Sequence, residues 1–197
     1  RVAGADVLSR LPLFELCEAF YALDPQGKAG GGTLGNGGPG TRLQLRTEVL
    51  AGTWEALVSG QADLAIGVGL NSPPPGVAIE PLGELAFVFA LSPQHPLASA
   101  SEPINDVELL RYRAVAVADS AHQMSPLTLN LLPGQDVLTV SSMAAKIEAL
   151  LRGLGCGFLP LPMAQPYITA GHLVVKAVQR PNHVIRLAYA WRSSRNA

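Results

Sequence analysis

Arg46 to Gly69 reads RTEVLAGTWEALVSGQADLAIGVG, and this stretch decides the fold of the 197-residue chain. Leu50, Trp54, Leu57 and Val58 stand at i, i+4, i+7 and i+8, the spacing of one helical face, and Gly60 closes the helix. Asp63 to Val68 then runs apolar, so the helix feeds a buried strand. The pattern returns in Leu138 to Pro160, LTVSSMAAKIEALLRGLGCGFLP. There a β-branched run ends at Ser141–Ser142, and Met143, Ile147, Leu150, Leu151 and Leu154 mark one helical face. Gly153, Gly155 and Gly157 precede the apolar Phe158 and Leu159. The chain builds one strand–helix–strand unit twice. Where such a strand meets the helix N-terminus, unpaired amides collect at its carboxyl edge, the place where small molecules bind.

Working outward, strands are expected at 1–5, 41–48, 63–69, 79–82, 85–91, 114–117, 138–140, 156–159, 173–178 and 185–191. Helices are expected at 12–23, 49–59, 107–111, 142–152 and 163–170. Asn71-Ser72-Pro73-Pro74-Pro75-Gly76 continues neither element type, because three prolines remove donors and fix φ. It reads as a first crossing between lobes, and Pro160 to Pro162 as the second. The expected architecture is α/β, with two Rossmann-like lobes joined by two crossover linkers. Residues 1–70 plus 162–197 form lobe I and 71–161 form lobe II. Two linkers imply one cleft and a hinge around a ligand.

Three separated segments carry a family resemblance. These are Ala56-Leu57-x-Ser59-Gly60-x-x-Asp63-Leu64-Ala65-Ile66-Gly67, Ser92-Pro93-x-His95-Pro96-Leu97-Ala98, and Ala149-Leu150-Leu151-x-Gly153-Leu154-Gly155-Cys156-Gly157-Phe158-Leu159-Pro160. In sequence, order and spacing they resemble the effector-binding domain of LysR-type transcriptional regulators. The resemblance implies a periplasmic-binding-protein type II-like fold and a small-molecule effector in the cleft. It also implies antiparallel pairing into homodimers, often tetramers of the full protein, and DNA contact only through an N-terminal winged helix-turn-helix domain absent from this chain. Arg1 running straight into an apolar strand reads as the start of a fragment. The alternative on the same fold is a periplasmic solute-binding protein, and sequence upstream of Arg1 separates the two.

Composition agrees with a packed sensor. The chain is 48 % hydrophobic, enough for a sizeable core, and only 15 % charged with net charge −1. Its Lys and Arg residues form no run or stripe, which argues against nucleic-acid binding by this part of the molecule. No run approaches the roughly 20 apolar residues of a membrane span. Cys17, on an apolar helix face, and Cys156, between glycines, read as reduced core thiols, which fits a cytoplasmic location.

The glycine-rich Gly27–Gly40 contains the letters of a dinucleotide fingerprint at Gly30, Gly32, Gly35 and again at Gly35, Gly37, Gly40. Neither match follows a strand or opens a helix, and Lys28 lacks phosphate-loop neighbours, so a flexible surface excursion is expected. His95, His122, His172 and His183 pair at no metal-ligand spacing, and neither metal nor cofactor is expected. Asp119, Ser120 and His122 spell a hydrolytic triad, but neighbours in sequence rarely converge in space and no Gly-x-Ser-x-Gly elbow occurs, so an enzyme is not expected. Trp54 and Trp191 read as core.

The effector-binding candidates are Asp6, Val7, Gly67, Val68, Asp119, Ser120, Ser141, Ser142, Met143 and Phe158. Asp6 is either a helix cap or turn residue or a cleft residue, placed where the resembled family often has Ser or Thr; a carboxylate there disfavours an anionic ligand. Ser141 and Ser142 start a helix, where a capping hydroxyl and free first-turn amides together suit a carboxylate or another acceptor. Asp119 and Ser120 end a strand at the same edge. Gly67 and Val68 end a strand on the opposite wall, where a missing side chain admits ligand to backbone.

Overall fold

The computed structural model of the chain describes residues 1–23, 42–70, 73–125, 129–180 and 183–193. The glycine-rich stretch 27–40, Thr41 and residues 71–72 of the expected first crossing lie outside the described residues.

In lobe I, β1 (Val2–Ala5) lies between β2 (Leu45–Glu48) and β3 (Leu64–Gly69), parallel to both. All four β1 residues are buried, as a central parallel strand covered on both faces requires. Helix α1 (Arg10–Ala22) packs Leu13 onto Gly4 of β1, and α2 (Ala51–Val58) joins β2 to β3. Lobe II repeats the arrangement with β5 (Ala114–Val117) parallel to β6 (Val137–Val140) and to β7 (Cys156–Pro160), α4 (Met143–Leu151) joining the last two. The short α3 (Asp106–Leu109) precedes β5. The strand order is β2-β1-β3-β9-β4-β7-β5-β6, with β4 (Val77–Leu91) and β9 (Val184–Arg192) antiparallel to each other.

Strand β4 connects the lobes. Two strands, 79–82 and 85–91, are expected from sequence; the structure has one, of 15 residues. Residues 77–86 pair with β9, and 87–91 pair with β7. The register slips between Pro81 and Gly83, so a proline that breaks the ladder is absorbed as an irregularity within the strand.

The helix after Pro160 also differs from expectation, which sent it back to lobe I. In α5 (Leu161–Thr169), Ala164 is fully buried in a cluster with Ala90, Ile147, Leu150, Leu159 and Leu173. Beyond it, β8 (Val174–Val175) pairs with Ala90 and Leu91. The apolar residues Met163, Tyr167 and Ile168 flank Ala164 against that cluster, so burial keeps the helix with lobe II and the chain returns along β9.

Two clusters form the core of lobe II: the one just described, and Phe89, Leu91, Leu97, Ile104, Leu109, Cys156, Phe158 and Val178. Phe89 and Phe158 meet edge-to-face with centroids 5.2 Å apart. Lobe I is centred on Leu57, Ala65, Val68, Ala188 and Ala190, with Trp54 packed against them. Trp191 departs from the core reading. It is 37 % exposed and stacks on Tyr189 near the end of β9, where neighbouring elements no longer cover it. Both cysteines are free, Cys17 half-buried and Cys156 buried. Among the described residues no helix is long and apolar enough to cross a membrane.

Candidate functional site

The carboxyl edges of the two parallel sheets face each other, and each lobe sends a carboxylate to a helix N-terminus of the other. Asp6 sits in the turn after β1, where Leu8 N–H donates to Ala5 O at 3.0 Å. It does not cap α1, which begins at Arg10 with Ser9 at the N-cap. Its carboxylate instead accepts from the backbone N–H of Met143, the first residue of α4. Asp119, just past β5, accepts from the N–H groups of Ala51 at 3.2 Å and Gly52 at 3.1 Å, at the start of α2. It also accepts from Ala121 N–H at 2.9 Å, which holds its own loop. Helix N-termini carry unpaired donors and partial positive charge, so each carboxylate supplies what the facing helix lacks.

The neighbouring bonds tighten the contact. Ser120 Oγ donates to Glu48 Oε2 at 2.7 Å and accepts from Val49 N–H at 2.9 Å. Glu48 is buried and pairs with Arg46 at 3.0 Å. Glu55, on α2, accepts from the N–H groups of His122, Gln123 and Met124 at 2.8–3.1 Å, gathering a lobe II loop onto a lobe I helix. The amides of Met124 and Gln123, in that order of weight, hold the Glu55 carboxyl below its ordinary range. Burial acts oppositely on Asp6 and raises its pKa, although the Met143 amide and Arg10 counter it. Gly52 makes this approach sterically feasible, since a Cβ there would lie 1.9 Å from Ser120 Oγ.

Of the sequence candidates, Asp6, Asp119, Ser120 and Ser142 come together at this junction. Ser142 is the N-cap of α4 and accepts from Ala145 N–H at 3.1 Å. Met143 contributes its amide there, while its side chain is buried in the lobe II core. Ser141 is exposed beside them. Three other candidates are corrected by packing. Val68 points into the lobe I core, and Phe158 into the lobe II core. At Gly67 the space a side chain would fill is taken by Leu8, whose Cδ1 lies 2.6 Å from the ideal Cβ position, so the gap serves chain packing. Val7 reaches across to the lobe II cluster. Sequence reading missed Glu48, Glu55 and Gly52. Glu48 carried only the signal of an acid before an apolar helix, and Glu55 and Gly52 those of a single acid and a glycine inside one.

Comparison with known proteins gives the family and the fold. The family model described as the LysR substrate binding domain matches residues 34–197. The chain is 40 % identical over 140 residues to the Escherichia coli K12 HTH-type transcriptional regulator YeeY, covering 70 % of this chain and 45 % of that one. It is 36 % identical over 137 residues to the transcriptional activator AllS of Klebsiella pneumoniae, covering 69 % and 51 %. The chain thus spans about half the length of the curated relatives it matches. Among solved structures, the regulatory domain of the LysR family regulator MetR from N. meningitidis superposes with TM-score 0.65 at 20 % identity, over 98 % of this chain and 83 % of that one. The effector-binding domain of QuiR in complex with shikimate gives 0.64 at 14 % identity, over 98 % and 87 %. The two-lobed fold is that of these regulatory domains.

Proposed function

Because the chain belongs to the LysR substrate-binding-domain family, we propose that it is the ligand-sensing part of a transcriptional regulator whose DNA reader is a helix-turn-helix domain outside this sequence. A small molecule enters between the lobes, and its unequal affinity for closed and parted lobes shifts their arrangement. The observation that supports this reading is the reciprocal exchange of Asp6 and Asp119 across the cleft. Two helix N-termini aimed at one gap form a ready donor site for an acceptor group, and the chain's own carboxylates occupy it in the closed arrangement. A ligand with an acceptor group competes with them. The relatives that match are regulators, which favours this reading over a solute-binding protein.

The test uses a small molecule found by native mass spectrometry of the purified chain or by a thermal-shift screen. Ser142→Ala removes a hydroxyl at the α4 N-terminus and weakens that ligand by about 1 kcal/mol, roughly fivefold. It also lowers free-protein stability by about 1 kcal/mol through lost capping. Calorimetry separates the two. If the dissociation constant matches wild type in both Ser142→Ala and Asp119→Ala, the ligand binds elsewhere.

We further infer that the domain pairs with a second copy through α1. This helix has no fully buried residue and leaves Leu11, Phe14, Leu16 and Tyr21 exposed, more apolar surface than a solvated helix face carries. Sedimentation at micromolar concentration is expected to give a dimer for wild type and a monomer for Phe14→Glu. A wild-type monomer would refute the pairing.

A further inference from the structure

Lys146 lies on α4, outside the cleft contacts, and is 9 % exposed. Its side chain crosses β7 over Gly157: a Cβ on that glycine would come within 3.2 Å of Lys146 Cε and 3.3 Å of Nζ. The ladder between β5 and β7 consists of the single pair Ala114↔Cys156. Lys146 lines a cavity of about 20 Å³ together with Phe89, Leu109, Leu132, Gln135 and Phe158. By the roughly 10–15 Å³ a single water needs, that space holds one or two solvent-sized groups.

Gln135 and Arg180 in the cavity wall are engaged. Gln135 Nε2 donates to Leu109 O and Tyr112 O, both at 3.0 Å, and its Oε1 accepts from Leu132 N–H at 3.4 Å. Arg180, also in the wall, pairs with Asp106 at 3.0 Å and donates to Asn130 O at 3.2 Å. Burial pushes the Cys156 thiol up to about 12, so it stays neutral and supplies no counter-charge. Lys146 makes no hydrogen bond or ion pair with any described residue.

A buried ammonium is costly unless it loses its proton or gains a counter-ion. Burial lowers the Lys146 pKa to about 8, which still leaves the group mostly charged at neutral pH. Lys146 Nζ keeps contact with solvent through the cavity, so a counter-ion can reach it from solution. We propose that the cavity in lobe II is an anion site in which Lys146 holds one small monovalent anion, of chloride to formate size. A single unpaired cation matches a single negative charge, and a space of about 20 Å³ excludes a larger oxyanion.

Thermal unfolding of the full chain tests this at constant ionic strength, with chloride or formate replacing gluconate, which is too large to enter. Wild type is expected to gain about 3–6 °C at tenfold excess over the dissociation constant, rising with the logarithm of anion concentration. Lys146→Met, of similar length and uncharged, is expected to show no such gain. An equal gain in both proteins, or none in wild type, overturns the site. Should Lys146→Met fail to fold, ¹⁵N spectra of the lysine side chains in wild type decide. A saturable shift of one buried Nζ resonance with formate supports the site, and no saturable shift refutes it.

Discussion

Gly52→Val is expected to part the two lobes. Glycine is a poor helix former, so the substitution inside α2 is not costly for the helix itself. The damage lies across the cleft. A Cβ at position 52 falls 1.9 Å from Ser120 Oγ and 2.9 Å from the Ser120 carbonyl carbon, and backbone cannot give way by that much. Relieving the clash moves the 118–121 loop off α2. That breaks the Asp119 bonds to Ala51 and Gly52 and the Ser120 bond to Glu48. Hydrogen bonds to charged groups are worth about 1.5–3 kcal/mol each, so losing the two to Asp119 alone costs closure about 3 kcal/mol or more, a shift of over a hundredfold. Small-angle scattering of the variant should show a larger radius of gyration, and a cleft ligand that competes with Asp119 for the α2 amides should bind more tightly. An unchanged radius and affinity would mean that the lobes are held by something other than this junction.

Leu150→Ala is expected to cost about 3–4 kcal/mol of stability. Leu150 is fully buried among Ala90, Val115, Ile147, Leu159 and Ala164, where α4, α5 and the lobe II sheet meet. Truncation removes transfer energy and leaves a cavity that three packed elements cannot all close. For a chain of this size the melting temperature falls by roughly 6–16 °C. Leu154 belongs to the same apolar series in sequence but is 46 % exposed beyond the end of α4, so Leu154→Ala should change stability little. Urea unfolding with an unchanged m-value checks both, and equal losses at the two positions would contradict the packing described.

Periodicity alone located β1, α2, β3, β5, α4 and β7 to within two or three residues, because a helix or strand with one covered face must repeat its apolar residues at 3.6 or 2. It also placed Asp6, Asp119, Ser120 and Ser142 at the carboxyl edges. Parallel strands joined by helices put their loops there, whatever the side chains. Val68 and Phe158 were assigned to the cleft on position along a strand, yet face the core, since the face a residue presents depends on what covers the sheet. Likewise, Met163, Tyr167 and Ile168 signal a helix that needs cover but not which lobe supplies it.

The local sequence by itself determined the twin strand–helix–strand units and the end of each sheet at which Asp6, Asp119, Ser120 and Ser142 gather, because these follow from short-range spacing and backbone geometry. Only the tertiary structure decided that Asp6 accepts from the first amide of α4 rather than capping α1, that Asp119 and Glu55 draw donors from the opposite lobe, that Gly52 is small to admit Ser120, and that the Lys146 side chain lies over Gly157 in the lobe II interior. Each of these joins groups far apart in the chain, and hydrogen bonding, steric exclusion and desolvation act through distances in space that no local pattern records.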